Sequence, residues 1–167
     1  RIANGQFEID GLVYQLPVNN HKACLHSGPE SFFRQVYDAK EIQTADGPAV
    51  EMTLASADGQ WGFPGNKKVK VTYTLTKDNA LKIDYEATTD KSCYFNLTNH
   101  VYFNLKGEGI GDILGHILVV DANFSTAVAD SQLIPTGEIV DIRGTAMDFT
   151  APHTVGERIE DPMPQLR

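Results

Sequence analysis

The histidine best suited to proton transfer is His100, which stands between Asn99 and a Tyr102–Phe103 pair inside the decapeptide N-L-T-N-H-V-Y-F-N-L, residues 96–105. Tyr, Phe, Thr and Val favour a buried β-strand, whereas strands usually exclude asparagine, and three asparagines interrupt this run. Buried polar groups must find hydrogen bonds, and that burden is tolerated where a site needs them. An imidazole takes up or releases a proton near neutral pH. Aromatic rings beside hydrogen-bonding side chains are also what a sugar ring requires. The alternative for His100 is a core histidine tied to a backbone carbonyl, and residue types alone leave both readings open.

The elements that must position such a site are all strand-like. Gln6 to Leu16 reads as a hairpin, with Phe7 and Ile9 alternating with polar residues before an Asp10–Gly11 turn and Leu12, Tyr14 and Leu16 after it. Val18 to Phe33 carries Pro, Gly, two Asn and two His and reads as a functional loop. Val36–Ile42 and Ala49–Ala55 alternate as two further strands, and Ser56 to Lys68 is a Gly-rich loop holding Trp61. The clearest alternation is Val69, Val71, Tyr73 and Leu75, then a turn at Lys77–Asn79, then Leu81, Ile83, Tyr85 and Ala87. That pattern predicts an antiparallel ribbon with one wet and one buried face. Ile117 to Val120 is continuously apolar and reads as a central strand covered on both faces. No apolar pattern holds helical spacing over ten residues. The expectation is one all-β domain over residues 1–167, an antiparallel β-sandwich.

Composition narrows the partners. A chain of 167 residues with formal net charge −8 does not suit nucleic acid or an anionic membrane, both of which select basic surfaces. No apolar run approaches the roughly 18 residues of a membrane span. The two cysteines, Cys24 and Cys93, are too few for a disulfide scaffold, and reduced thiols are the expectation for a cytoplasmic protein. Cys24 and His26 lie close in sequence, but no second pair with ligand spacing follows, so no metal site is expected. His21, His116 and His153 read as surface or turn residues.

The decapeptide resembles the central motif of the aldose 1-epimerases, the galactose mutarotases. Five other segments resemble that family in order: Arg1-Ile2-Ala3; Leu25-His26-Ser27-Gly28-Pro29; Asp58-Gly59 with Gly62-Phe63-Pro64-Gly65-Asn66; Leu133 to Glu138; and Gly144 to Phe149. The resemblance implies part of a large antiparallel β-supersandwich with a sugar cleft on one concave face. It also implies an internal piece of a longer enzyme, because the matching segments begin at Arg1 and the family's remaining residues would follow Arg167.

Such enzymes interconvert α and β sugar anomers through the open-chain aldehyde. A base takes the anomeric hydroxyl proton while an acid donates one to the ring oxygen, and no cofactor is required. By resemblance, His100 is that acid and His26 a second active-site histidine at the reacting end. Arg1 is a sugar-binding arginine, and Tyr102 a cleft residue or plain packing. The turns at Gly62–Asn66 and Pro135–Gly137 read as architectural, as do Glu138 and Asp148. The family's glutamate base and a further sugar-binding aspartate are expected beyond Arg167. The isolated chain is therefore expected to be nearly inactive and to self-associate through sheet edges. Ser27 stands where the family pattern has glycine, which restricts the loop if that position needs positive φ. Two alternatives remain: a hexose 6-phosphate epimerase, for which Lys67–Lys68 is the only basic pair near the loops, and a non-catalytic carbohydrate-binding β-domain.

Overall fold

The computed structural model describes residues 1–128 and 133–163. They form twelve strands, three short 3-10 turns and no α-helix, and every strand pairing is antiparallel. Among the described residues no helix is long and apolar enough to cross a membrane. The chain divides into two compact units, Arg1–Thr98 and Asn99–Arg167, and the division falls inside the decapeptide.

In the first unit, β1 (Ile2–Ala3) pairs with β4 (Ala23–Cys24), and β2 (Gln6–Ile9) pairs with β3 (Leu12–Gln15). The turn between β2 and β3 places Asp10 and Gly11 at φ 53° and 73°, the positive pair expected of a two-residue hairpin. Four longer strands form one sheet in chain order: β5 (Asp38–Gln43), β6 (Pro48–Ser56), β7 (Lys67–Leu75) and β8 (Leu81–Thr89). The β7–β8 ribbon read from the sequence is therefore half of a four-stranded sheet. Its register sets Met52, Val71 and Tyr85 side by side on one face. The opposite face carries Lys40, Glu51, Lys70 and Glu86, joined by ion pairs of 2.8 Å, 3.9 Å and 2.7 Å across all four strands. Alternating charge along exposed strands discourages sticking of that face.

Leu16, Cys24 and Phe63 form a small buried cluster, with Ile2, Phe7, Trp61 and Cys93 packed around it. It ties the hairpin, β4 and the Gly62–Asn66 turn into one body, and Cys24 lies two positions before His26. Burial raises the pKa of the Cys24 thiol, so it behaves as a packed apolar group.

The second unit contains β9 (Ile117–Leu118) paired with β12 (His153–Thr154), and β10 (Phe124–Val128) paired with β11 (Pro135–Asp141). Pro135–Gly137 is thus the start of a strand rather than a free turn. The ladder slips between Thr126 and Val128, and Gly137 takes the slack at φ 90°, a bulge that only glycine adopts readily. Ile117–Val120 is not a central covered strand: only Ile117 and Leu118 pair, on one side, and Ile117 is 69% exposed. Apolar composition shows that a segment can be covered; it does not supply the cover.

The same correction applies to the decapeptide. Residues 96–105 form no strand, and Val101, Tyr102, Phe103 and Leu105 are exposed. Asparagines replace the missing ladder with local turns: Asn99 Oδ1 accepts from the Val101 N–H at 2.9 Å, and Asn104 Oδ1 from the Lys106 N–H at 3.1 Å. Asparagine competes with regular structure in this way. His116 is half-buried rather than a surface residue. Its Nε2 accepts from the Leu105 N–H at 2.9 Å, which pins the end of the decapeptide. His153 is also half-buried, with Nδ1 3.1 Å from a Glu157 carboxylate oxygen.

Candidate functional site

The loop between β4 and the first 3-10 turn (Phe32–Arg34) gives His26 its setting. His26, Ser27 and Gly28 are consecutively left-handed, at φ 51°, 62° and 97°. Only glycine enters that region without strain, so a histidine and a serine there require outside support. Three groups provide it. The Asn19 side chain donates to the Leu25 carbonyl at 3.0 Å and accepts from the Leu25 N–H at 2.8 Å. The Gly28 N–H donates back to the Leu25 carbonyl at 3.0 Å. The buried Ser31 hydroxyl donates to the His26 carbonyl.

Held in this way, His26 borders a cleft of about 380 Å³ within the first unit, its ring edge-on to Phe33 at 6.4 Å. Met52, Val71, Tyr73 and Tyr85 on the buried face of the sheet form the opposite wall. The lining mixes these aromatic and aliphatic walls with hydrogen-bonding side chains, among them Ser31, Gln35, Asn96 and Thr98, a makeup that can hold a small polar molecule. The Tyr85 hydroxyl is buried without a hydrogen-bond partner, and burial raises its pKa, so it is a neutral O–H.

Arg1 is brought to the same end of the first unit. The β1–β4 register sets Ile2, which follows Arg1, opposite Cys24, two positions before His26 in the chain. The Arg1 guanidinium donates to Asn20 Oδ1. His100 and Tyr102 belong to the second unit, where their rings stand 5.1 Å apart, tilted by 46°, with Tyr102 86% exposed. Arg1 and His26 thus both belong to the first unit, and His100 and Tyr102 stand together in the second.

Two groups that resemble catalytic machinery are committed elsewhere. Asp148 accepts from the Gly144 N–H at 2.8 Å and from the Thr150 N–H and hydroxyl at 3.1 Å and 2.7 Å. These bonds hold its carboxyl at about 2, too weak a base for reversible proton transfer near neutrality. Lys67 is buried and donates to the carbonyls of Ala57, Phe63, Pro64 and Gly65, so it is not presented to a ligand. Sequence reasoning missed Asn19, Asn20 and Ser31. Two adjacent asparagines at a loop mouth, ahead of a His-Ser-Gly, were the available signal.

The sequence pattern of the aldose 1-epimerase family matches residues 1–164. The chain belongs to the aldose 1-epimerase family. Galactose mutarotase from Sus scrofa is 38% identical over 161 residues, covering 96% of this chain and 45% of its own length. Aldose 1-epimerase from Haemophilus influenzae is 43% identical over 150 residues, covering 89% of this chain and 43% of its own length. Among solved structures, galactose 1-epimerase from Lactobacillus acidophilus superposes with a TM-score of 0.84 at 28% identity, over 99% of this chain and 48% of that one. The fold is therefore that of the aldose 1-epimerases, and the chain spans a little under half the length of these relatives.

Proposed function

We propose that this chain is the acid-bearing part of an aldose 1-epimerase of its relatives' length, acting on free hexoses such as galactose or glucose. In this reading His100 donates a proton to the ring oxygen while a glutamate outside the chain takes the anomeric hydroxyl proton. The C1–O5 bond breaks, the aldehyde turns, and closure on its other face returns both protons. His26 and Arg1 hold the sugar near the reacting end, and Tyr102 flanks the acid. The guanidinium fork suits vicinal hydroxyls. No cofactor enters this scheme. The cytoplasm is the compartment we assign, on the two free thiols Cys24 and Cys93.

The observation that carries the reading is the His26–Gly28 conformation. Left-handed backbone at a histidine and a serine persists only where the surroundings over-determine it, and such positions gather at working sites. The 6-phosphate alternative loses support because Lys67 is occupied by backbone carbonyls.

Polarimetry on fresh α-galactose tests the proposal, with the full-length protein beside this chain. The full-length protein is expected to accelerate mutarotation, His100→Ala to reduce that by about 10² to 10⁴, and the isolated chain to stay near background. An unchanged rate in His100→Ala would refute the acid assignment. Activity of the isolated chain would require a base within it. Binding without catalysis by the full-length protein would favour a carbohydrate-binding module.

A further inference from the structure

We propose that Asn19 and Asn20 are positioning residues that fix His26 and Arg1 for the sugar, an inference that rests on reading those two as sugar contacts. The Asn19 carboxamide is used at both ends by one residue. Its Nδ2 donates to the Leu25 carbonyl at 3.0 Å and its Oδ1 accepts from the Leu25 N–H at 2.8 Å. The two bonds hold the peptide units on either side of Leu25, Cys24–Leu25 through its N–H and Leu25–His26 through its carbonyl, and the second of these is where the left-handed triplet begins.

Asn20, the next residue, grips the other candidate. Its Oδ1 accepts from the Arg1 guanidinium, while its backbone exchanges hydrogen bonds with Ala23 at 3.2 Å and 2.9 Å. The Asn19 N–H also donates to the Ala23 carbonyl at 3.2 Å. Both side chains therefore spring from one short turn anchored on β4, and β4 carries the chain directly into His26. The β1–β4 ladder adds to this by pairing Ile2, which follows Arg1, with Cys24, which precedes Leu25. The spacing between guanidinium and imidazole is set by this turn, not by either functional side chain.

Asparagine is the residue type this clamp needs at position 19. It supplies one donor and one acceptor on a short planar group. Aspartate would set a second acceptor against the Leu25 carbonyl, and serine is too short to reach both atoms.

The experiment is a pair of double-mutant cycles on the full-length protein, reading galactose affinity by calorimetry and kcat and KM by polarimetry. Asn19→Asp is expected to weaken affinity about tenfold, and Asn19/His26 double replacement to lose no more than His26→Ala alone, because residues acting through one another are not additive. Asn20→Ala and Arg1→Ala should behave likewise. Asn19→Ser removes the clamp without adding charge and serves if the aspartate variant does not fold. Measurements well below the melting temperature separate positioning from support: a folded variant with unchanged affinity overturns the proposal, as do strictly additive losses. If His26→Ala and Arg1→Ala leave affinity unchanged, the sugar-contact reading fails and this proposal with it, a result distinct from additivity.

Discussion

Lys67 Nζ lies 2.6 Å from the carbonyl oxygen of Gly65, two residues before it in the chain, and within 3.4 Å of the carbonyls of Ala57, Phe63 and Pro64. A buried ammonium is used here as a staple for a turn whose carbonyls have few other partners. Burial lowers the pKa of Lys67 below the ordinary lysine value. The glycines of that turn are also fixed by space: a Cβ on Gly65 would stand 2.2 Å from Thr89 Oγ1, and one on Gly62 would stand 2.5 Å from the Gln15 carbonyl. Lys67→Met keeps the aliphatic stem and removes every donor. It is expected to destabilise the fold by about 2–4 kcal/mol, read from urea unfolding, since buried carbonyls left unsatisfied are expensive. A loss below about 0.5 kcal/mol would mean that water replaces the ammonium.

Ser27 occupies φ 62° without the freedom of glycine. Ser27→Gly relieves that strain and concedes some unfolded-state entropy, for a net gain of about 0.5–1 kcal/mol in thermal or urea unfolding. Ser27→Val is expected to destabilise and to weaken sugar binding by the full-length protein, because a β-branched side chain resists the left-handed region. Equal stability of the serine, glycine and valine forms would show that the loop relaxes freely and that His26 is not rigidly held.

Asp148 provides the pH test. Its carboxyl is held at about 2 by the Gly144 N–H and the Thr150 groups, below the ordinary aspartate value of about 4. The folded value lies below the unfolded one, so the ionised group stabilises the turn fully above about pH 4. That contribution fades as pH falls from there through about 2. Comparison of wild-type and Asp148→Asn melting temperatures should show a constant gap above pH 5 that closes toward pH 2. A carboxyl carbon shift titrating near 4 would contradict the turn geometry.

How much of this was legible in the sequence follows from the range of the interactions. The β2–β3 hairpin and the strands β5 to β8 were readable because alternation and turn residues are local signals: Asp10–Gly11 and Lys77–Asn79 fall where the chain reverses. His26 was legible only through motif resemblance, whereas His100 stood out by its asparagine and aromatic neighbours and took its role from the resemblance. Their support was not, because Asn19 acts on Leu25 six residues away, and Lys67 acts on a turn whose closure no alternation announces. The decapeptide and Ile117–Val120 misled because apolar content reports what a segment can bury, while pairing depends on strands elsewhere.

The edges of the four-stranded sheet yield the last prediction. Among the described residues β5 and β8 each pair on one side only, and β8 presents the outward N–H and C=O groups of alternate residues along a nine-residue edge that begins at the exposed Leu81. In the second unit Tyr102, Phe103 and Leu105 are exposed together along an unpaired segment. Open strand edges and adjoining apolar side chains seek partners. The 167-residue chain is expected to show a sedimentation coefficient that rises with concentration in the micromolar range. Leu81→Lys adds a charge at the β8 edge and Leu105→Lys breaks the apolar run, and the pair should return the chain toward monomer. If the unmodified chain sediments as a monomer throughout that range, its edges are protected and the expectation fails. If it associates but the double variant associates equally, the contact lies on another surface.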